Sequence, residues 1–504
     1  MNSDFITNLA LGRTAREVLL LAIVLFRPCA AVASENDAAE NKSKGPHVAI
    51  ERSILVEGHP REYLRELSDR FGGRVTGSRA YEESADWAVK KFQEMGMSKV
   101  YVEAFDMKAG WERGTSAGSI LAPVHRPLHV ESLGWTPSTP IGGIRGTVLV
   151  LSSLEDSYIS ARASEIKGRI VLLDGAQPNF GESWTAFSGK LQSCYSLLKR
   201  FGAIGLLEPD SEYNNVLNAD AATWDGSLAP LPIAQIGMED AGLIKRLAET
   251  AAVEVAYECQ NRTRNTIQVR NVIAELPGSQ LPDEWVMVGA HLDSWDVATG
   301  SLDNGSGVAM VVEAARAIST LHQRPLRSIR FVLWGGEEEG MLGSTSWIRS
   351  HRSDLEKVVA YLNTDNGSGS PRGWKVEGRK DVEDAMASVS PLLSDLDGDA
   401  LSQETTYDSD HGPFMLEGVP VLDLWVDMTN YLRLNHKSGD TFDKVETLHL
   451  NACSAIVGVT AYTLADSQRP IAKRLDYPAV REILKRANID LEFLKSLGWT
   501  MQHL

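Results

Sequence analysis

Between residues 264 and 466 the chain alternates apolar runs with segments of helical pattern. The runs "WVMVGA", "SIRFVLW" and "VVAYLNT" are apolar almost throughout, and "VAMVVEAARAISTL" and "SWIRSH" lie between them. Strands that are apolar on both faces and alternate with helices are typical of a parallel sheet that is covered on both sides. The pattern therefore predicts an α/β fold with a mostly parallel central sheet flanked by helices.

Two further patterns precede this region, and one follows it. Residues 58 to about 115 combine helical segments such as "YEESADWAVKKFQEMGM" with the strand-like "SKVYVEAF" and a glycine-rich loop, "GGRVTGSRA". Residues 118–262 consist of short apolar runs bounded by Gly and Pro, such as "GTVLVLS" and "GRIVLLDG", and predict a small β-rich domain. The tail, residues 471–504, contains "VREILKRANIDLEFLKSLGW" and predicts one or two packing helices.

The N-terminus has the pattern of an export signal. Arg13 and Arg16 precede the apolar run "VLLLAIVLF" and an Ala-x-Ala pattern at residues 31–33. These features predict a cleaved signal peptide, residues 1–33, because the apolar run is short for a membrane span. Residues 34–50 are polar and predict a linker. We expect a secreted or periplasmic protein without membrane contact after cleavage, and an uncleaved anchor is the alternative.

Composition narrows the class of partner and excludes a disulfide scaffold. The chain has 504 residues, a soluble globular composition and a net charge of −17, which disfavours nucleic acid and anionic membranes as partners. After the signal peptide, Cys194, Cys259 and Cys453 allow at most one internal disulfide. This length exceeds one hydrophobic core, so we expect two or three domains.

Polar side chains follow the predicted strands of the central sheet. Ligands of open α/β sheets bind beyond the carboxyl ends of the strands, so these side chains are expected to converge. Each alone is a weak signal, because a lone histidine is usually structural and a carboxylate there is usually a helix cap or turn residue. The set consists of His291, Asp293, Asp303, Glu337, Glu338, Asp365 and His436.

The convergence of these residues predicts a metal site. Several carboxylates brought together without cations would repel and raise one another's pKa, and two divalent ions would remove that cost. Imidazole together with carboxylate is a ligand mixture that zinc accepts, whereas calcium and magnesium prefer oxygen alone. Adjacent residues of an extended segment point in different directions, so Glu337 and Glu338 can divide metal binding and proton transfer between them. Their spacing leaves open which glutamate does which.

Four motifs resemble those of the co-catalytic zinc exopeptidases. They are "GAHLDSWDVATGSLDNGSG", "WGGEEEGMLGS", "LNTDNGSG" and "NHKSGDTFD". The resemblance extends over nearly the whole chain after the predicted signal peptide, and the wording "HLDSW" is most similar to the carboxypeptidase Q branch. It implies the zinc-exopeptidase fold, with residues 51–117 and 263–470 as the two parts of the catalytic domain. The β-rich residues 118–262 resemble the inserted protease-associated domain of that family.

The resemblance also implies two zinc ions per subunit and assigns their ligands by position. His291 and Asp365 would hold the first zinc, Glu338 and His436 the second, and Asp303 would bridge the two.

Further positions match residues that act on the substrate or support the ligands. Glu337 matches the general base, and Asp293 matches the carboxylate that orients the imidazole of His291. Glu339 occupies the variable position of the family pattern Glu-Glu-x-Gly and is expected to be solvated. Tyr407 lies near the place of an oxyanion donor or substrate-binding tyrosine in some relatives.

The function that this resemblance implies is hydrolysis of dipeptides or short peptides with free ends by a zinc-activated water, in a homodimer. Alternatives are an aminopeptidase of the same family, an enzyme that acts on acylated amino acids or cyclises N-terminal glutamine, and a receptor-like protein with structural zinc. Groups that bind a free terminus would decide among the peptidases. Candidates are Asp296, Asp427 and Arg433, with Trp295 and Trp425 as candidate pocket walls.

Overall fold

The computed structural model describes residues 45–97, 99–175, 184–489 and 494. The predicted signal peptide and most of the predicted linker lie outside these ranges. The strands, in chain order, are β1 (Lys99–Met107), β2 (Gly110–Ala122), β3 (Arg126–Leu128), β4 (Val130–Ser132), β5 (Ile144–Leu151), β6 (Ile170–Leu173), β7 (Gly205–Pro209), β8 (Ile233–Ile236), β9 (Glu254–Arg264), β10 (Ile267–Leu276), β11 (Leu281–His291), β12 (Arg327–Trp334), β13 (Val358–Asn363), β14 (Pro371–Lys375), β15 (Ala400–Ser402) and β16 (Val421–Val426). The helices are α1 (Pro46–Glu57), α2 (Pro60–Arg65), α3 (Arg79–Glu94), α4 (Asp156–Ala161), α5 (Ala163–Ile166), α6 (Trp184–Arg200), α7 (Met238–Ala248), α8 (Ser306–Ser319), α9 (Leu342–Ser350), α10 (Lys380–Met386), α11 (His411–Leu416), α12 (Thr429–Leu434), α13 (Thr447–Asp466) and α14 (Tyr477–Arg486).

The first sheet has the strand order β1-β10-β12-β11-β13-β16-β14-β15. Its middle strands, β12, β11, β13 and β16, are parallel to one another. The strands β1, β10 and β14 run antiparallel to their inner neighbours. The α/β prediction is confirmed, but the sheet is mixed, with four parallel strands at its centre and a further parallel pair, β14 and β15, at one edge.

Each face of the first sheet carries its own hydrophobic core. Along β11 the side chains of Val286 and Val288 enter a core that also contains residues of α8 and α13. Trp285 and Met287 enter the opposite core, together with residues of α9, α11 and α14. This two-sided burial explains why the central strands are apolar at successive positions.

Helix α13 is long and apolar enough to span a membrane by composition, but 72% of its apolar window is buried inside the protein. Residues such as Cys453, Ile456 and Val459 lie in the first core. A helix that is apolar on all sides is expected when it is surrounded by protein, so α13 is a core helix.

A second sheet is formed by strands between Gly110 and Arg264, in the order β3-β2-β9-β5-β6-β7-β8-β4. The apolar runs that predict a β-rich region are strands β5 to β8, which are parallel to one another. Helix α6 packs on this sheet through Leu191, Tyr195 and Leu198. The second sheet is therefore an α/β layer with antiparallel strands at its edges.

Two smaller predictions, the absence of a disulfide scaffold and a helical C-terminal tail, can be compared with the described residues. Cys194, Cys259 and Cys453 are buried and free, so no disulfide forms among them. Helix α14 accounts for the first half of the helical tail, and most of the residues after 489 lie outside the described ranges.

Candidate metal centre

The carboxyl ends of the central parallel strands bring the predicted site residues together. His291 is the last residue of β11, Glu337 and Glu338 follow β12, and Asp365 follows β13. His436 lies beyond β16, directly after α12. The strand-end rule used for the sequence therefore describes the real position of the site.

Asp303 reaches the same edge through a close approach between two elements. The side chain of Asn304 donates a hydrogen bond to the carbonyl of Thr364 at 2.9 Å and accepts one from the N–H of Gly307 at 3.1 Å. A Cβ atom at Gly307 would lie 2.1 Å from that carbonyl oxygen. The motif "DNGSG" thus lets the first turn of α8 lie against the end of β13, beside Asp365.

Two groups of ligand atoms share Asp303. In the first, Nε2 of His291 lies 3.2 Å from both Oδ1 of Asp303 and Oδ1 of Asp365. In the second, Nε2 of His436 lies 3.3 Å from Oδ2 of Asp303 and 3.0 Å from Oε2 of Glu338. The two oxygens of one carboxylate therefore face two separate groups, each able to hold an ion.

The spacing and chemistry of these atoms fit zinc. Two ligands that bind a tetrahedral zinc ion at ~2.0–2.1 Å lie roughly 3.3 Å apart, and the observed separations are 3.0 to 3.3 Å. The buried Oε1 of Glu338 has no hydrogen-bond partner within the described part of the chain. An imidazole and carboxylates with a free oxygen are donors that a zinc ion accepts.

The electrostatics of the metal-free cluster show why cations stabilise it. Burial, with a contribution from Asp303, raises the pKa of Glu338 to about 7. Burial opposes the ionisation of Asp303 as well, but hydrogen bonds from the imidazoles of His291 and His436 lower its pKa well below the usual range. The pKa values of both imidazoles are raised, against the effect of their burial, by the surrounding carboxylates. In the metal-free cluster, bound protons therefore supply the positive charge that metal ions would otherwise bring to these carboxylates.

Glu337 belongs to neither group of ligand atoms. Its Oε2 lies 3.9 Å from Nε2 of His291, and its side chain is buried beside the cluster. Burial and then the charge of Asp365 raise the pKa of Glu337 well above its usual value. The second glutamate of the run therefore takes part in a ligand group and the first remains free.

Glu339 is buried, so the prediction that it is solvated is wrong. It is 1% exposed, and its carboxyl lies beside Thr76 and Asp293. The turn after β12 is closed by hydrogen bonds from the N–H groups of residues 340 and 341 to the carbonyl of Glu337. This tight turn directs the side chain of Glu339 into the protein. Burial raises the pKa of Glu339 well above its usual value.

Asp293 supports the site mainly through a different hydrogen bond from the one predicted. Nδ1 of His291 lies 3.1 Å from the backbone carbonyl of Asp293 and 3.8 Å from its Oδ1. The other carboxylate oxygen accepts hydrogen bonds from the hydroxyl of Thr76 at 3.0 Å and from the N–H of Glu338 at 3.1 Å. Asp293 therefore links the loop after β11 to the loop after β12.

Arg74, in the glycine-rich loop "GGRVTG", holds the segment between two ligands. Its fully buried guanidinium donates hydrogen bonds to the carbonyls of Leu292, Thr299 and Gly300 at 2.8 to 2.9 Å. Burial lowers the pKa of Arg74 to about 10. One side chain therefore fixes both ends of the loop that joins His291 to Asp303.

Asp440 performs a similar function for the shared ligand. Its carboxylate accepts hydrogen bonds from the N–H groups of Ser301, Leu302 and Asp303 at 2.6 to 3.0 Å. The motif "NHKSGDTFD" contains this residue four positions after His436, but its sequence gives no sign of the partner. The loops that carry Asp303 and His436 are thereby tied together.

A cavity of about 350 Å³ opens beside the ligands. Tyr407 and Tyr431 both line it. Burial, followed by the charges of Asp303 and Asp365, raises the pKa of Tyr431 well above its usual value, which places this phenol near the cluster. The sequence drew attention only to Tyr407. The remaining lining includes Asn218, Asp220, Trp224, Met341, Asn366, Asp408, Met428, Leu432, Asn435 and Lys437.

Part of this lining comes from the second sheet. The N–H of Ala219 donates a hydrogen bond to the carbonyl of His436 at 2.6 Å, and Asn218 forms an antiparallel bridge with Lys437. His436 has a left-handed φ of 60°. The loop between β7 and β8 therefore covers the site and pairs with the segment that carries a ligand.

The residues predicted for terminus recognition do not line the cavity. Asp296 forms an ion pair with Arg113 at 2.8 Å, and Asp427 forms one with Arg372 at 2.9 Å. Arg433 is exposed. Apart from the candidate ligands and Glu337, the charged residues that line the cavity are Asp220, Asp408 and Lys437.

The two tryptophans have different environments. Trp295 packs edge-on against the imidazole of His436, with ring centroids 6.1 Å apart, and so forms a wall of the centre. Trp425 lies on β16 against Arg372 and is absent from the cavity lining among the described residues.

Comparison with known proteins shows which family and which folds this chain resembles. The sequence profile of peptidase family M28 matches residues 271–461. Carboxypeptidase Q of Xenopus laevis is 28% identical over 420 residues, which cover 82% of this chain and 87% of that protein. The crystal structure of a peptidase M28 precursor from Shewanella amazonensis SB2B matches with a TM-score of 0.75 and 27% identity, over 87% of this chain and 99% of that one. BSAP, a zinc aminopeptidase from Bacillus subtilis, has the same fold, with a TM-score of 0.63 and 19% identity over 83% of this chain and 97% of its own.

Proposed function

We propose that this metallopeptidase is a zinc-dependent exopeptidase that hydrolyses dipeptides or short peptides with free ends, because its residues 271–461 match the profile of peptidase family M28 and it is similar to carboxypeptidase Q over most of its length. The profile match agrees with the family resemblance of the sequence motifs. The similarity to carboxypeptidase Q over most of the chain supports the dipeptidase form of the proposal. The observation that carries it is the pair of ligand groups that share Asp303 beside a small cavity.

Two zinc ions are part of this proposal. His291, Asp303 and Asp365 would hold one ion, and Asp303 with Glu338 and His436 would hold the other. Bound zinc lowers the pKa of water and polarises a carbonyl group. The ligand set is complete at every position that the family resemblance assigns.

Glu337 is the proposed general base. It is buried beside the ligands and outside both ligand groups, so its carboxylate is free to accept a proton from the attacking water. The same carboxyl then gives the proton to the leaving amine, which a general acid–base residue within hydrogen-bond reach can do. A protein with structural zinc would need no such free carboxylate.

The cavity supports a small substrate with charged ends. Its volume of about 350 Å³ is at the lower end for ligand sites, and Trp224 and Leu432 are part of its wall. Asp220 and Asp408 can pair with an α-amine and Lys437 with an α-carboxylate. Because these two carboxylates could bind a free α-amine, an aminopeptidase is the second candidate function.

Hydrolysis of one dipeptide in four forms tests the proposal. The free, N-acetylated, C-amidated and doubly blocked forms are compared with and without a chelator, and zinc-loaded Glu337→Gln protein controls for contaminating peptidase. We expect loss of turnover with either block, loss with chelator and recovery with zinc. Loss on N-acetylation alone supports the aminopeptidase, and chelator-insensitive turnover contradicts the zinc mechanism.

The proposal also covers domain organisation, export and dimer formation. We propose that the β-rich residues 118–262 are a protease-associated insert in the catalytic domain, that residues 1–33 direct export, and that the mature chain is a homodimer. The strand-rich second sheet supports the first part, and the basic and apolar pattern of the N-terminus supports the second. Sedimentation of the mature protein tests the third.

A further inference from the structure

The second sheet contains a cavity of its own, of about 140 Å³, which we call the insert cavity. Glu208 and Gln235 line it from adjacent parallel strands, where they are paired in register near the carboxyl ends of β7 and β8. Ser188 and Tyr195 line it from helix α6. The carboxyl end of parallel strands is where open α/β sheets bind ligands, and this end is the one that adjoins the metal centre.

Two polar atoms of the insert cavity have no partner. The hydroxyl of Ser188 and Oε1 of Gln235 are buried, and neither forms a hydrogen bond within the described residues. Their side chains belong to residues that are 2% and 6% exposed. Buried polar groups are nearly always hydrogen-bonded in folded proteins, so these atoms indicate a place for a polar ligand.

The charge of the insert cavity is unbalanced. The hydroxyl of Tyr195 donates a hydrogen bond to Oε2 of Glu208 at 2.6 Å, but no described lysine or arginine forms an ion pair with this carboxylate. Burial, with a contribution from Asp220, raises the pKa of Glu208 to about 7. Asp210 is different, because its carboxylate accepts hydrogen bonds from nearby backbone N–H groups. Glu208 is therefore the carboxylate that a cationic ligand would pair with.

The insert cavity shares a wall with the active-site cavity. Asn218, Asp220, Trp224 and Lys437 line both. Apart from His436, Lys437 is the one basic residue among the described residues that line either cavity.

Lys437 stands at this shared wall, directly after a proposed zinc ligand. Its side chain is 12% exposed, and its Nζ lies 3.7 Å from the carboxylate of Glu212. A largely buried ammonium group between the two cavities is suited to a substrate carboxylate. A substrate residue that passes this wall would thus carry its carboxylate at Lys437 and its side chain towards Glu208.

We propose that the insert cavity binds the C-terminal residue of the substrate, with Lys437 pairing with the free α-carboxylate and Glu208 with a basic side chain. The substrate class is a dipeptide that ends in lysine or a similar amine-bearing residue. Leu133, Phe187 and Leu191 in the lining can contact the aliphatic part of such a side chain. This inference rests on the proposed function.

The test compares kcat/KM for Ala-Lys and Ala-norleucine, which differ in the terminal amine. We expect the wild type to prefer Ala-Lys by roughly tenfold, the effect of one partly buried ion pair, and Glu208→Gln to bring the ratio to about 1. Glu249→Gln is the matched control, because it removes an exposed carboxylate from the same region and is expected to keep the ratio. Lys437→Met is expected to reduce the preference for Ala-Lys over its C-terminal amide.

Equal use of the two dipeptides by the wild type, or a preference retained in Glu208→Gln, overturns the inference. An equal loss for both dipeptides in Glu208→Gln also overturns it, since this indicates a structural role. Calorimetric titration of L-lysine and L-norleucine into zinc-loaded protein examines the insert cavity without turnover. Binding of L-lysine that requires Glu208 supports the inference even if the proposed peptidase activity fails, and equal binding of both amino acids contradicts it.

Discussion

The carboxylate of Asp440 accepts a hydrogen bond from the N–H of Asp303 at 3.0 Å, and so it holds the backbone of the ligand that both metal groups share. It also accepts the N–H groups of the two preceding residues, Ser301 and Leu302. Three backbone donors that converge on one buried carboxylate fix the direction of the loop before α8. The position of Asp303 is therefore set by a residue that lies 137 positions away in the chain.

Asp440→Asn is expected to weaken metal binding. The amide of asparagine keeps one acceptor oxygen but places N–H groups against backbone donors. Loss of a supporting hydrogen bond around a metal site lowers affinity by about 10- to 100-fold, and hydrogen bonds to charged groups contribute about 1.5–3 kcal/mol. Zinc content after dialysis against a weak chelator measures the first effect, and denaturant unfolding measures the second. The exposed Asp443→Asn is the control, and equal zinc retention in both variants would contradict the prediction.

Glu337→Gln and Glu338→Gln are both expected to lose peptidase activity, but for different reasons, although the two substitutions are chemically identical and adjacent. Glu338 contributes Oε2 to a ligand group, whereas Glu337 lies outside both groups. Glu337→Gln should lower kcat by about 10²- to 10⁴-fold, the range for loss of a general base, and retain both zinc ions. Glu338→Gln should lose zinc. Metal analysis alongside kcat separates them, and zinc loss in Glu337→Gln would reverse the assignment.

The ligand positions were predictable because they follow the strongest pattern in the sequence. Apolar runs end at His291, before Glu337 and Glu338, and before Asp365, and parallel strands bring such ends to one edge. The family resemblance then distinguished the two glutamates. Both steps use local sequence, and the structure brings these side chains together, with Glu338 inside a candidate ligand group and Glu337 outside both groups.

Contacts between distant segments were not predictable in this way. The bridge between Asn218 and Lys437 and the carboxylate of Asp440 beneath Asp303 join residues that no periodicity relates. Glu339 shows the opposite problem, because a run of three carboxylates favours solvent exposure, yet the turn after β12 buries it. Tertiary packing determines the contacts and the burial of such residues, and the pattern of a single sequence carries no information about that packing.

Tyr431→Phe is expected to lower kcat more than Tyr407→Phe. Both phenols line the active-site cavity, but the pKa of Tyr431 is raised by burial and by four carboxylates of the cluster, whereas Tyr407 is affected by burial, Arg349 and Asp410. Removing one donor to a developing oxyanion costs about 10²- to 10³-fold in kcat. We expect this loss for Tyr431→Phe with zinc content unchanged. A larger loss in Tyr407→Phe would favour the tyrosine that the sequence suggested.

Removal of zinc is expected to make stability depend strongly on pH. In the metal-free protein burial raises the pKa of Glu338 to about 7, so its stabilising contribution is present below about pH 4.5 and is lost as the pH rises through 7. The pKa values of His291 and His436 are also raised, and their contribution, present below about pH 6.5, is lost as the pH rises further. The lowered pKa of Asp303 acts only in strong acid, because its contribution is lost as the pH falls through that pKa.

The metal-free protein should therefore have a lower Tm at about pH 8 than at about pH 5.5, and zinc should raise the Tm more at the higher pH. Thermal unfolding of chelator-treated and zinc-loaded protein at both pH values measures this difference. Glu338→Gln removes one of the raised carboxyl groups, so its metal-free form should lose less stability between the two pH values. A metal-free wild type whose Tm is the same at both pH values would show that the pKa values of these carboxyl and imidazole groups are not raised in the folded protein.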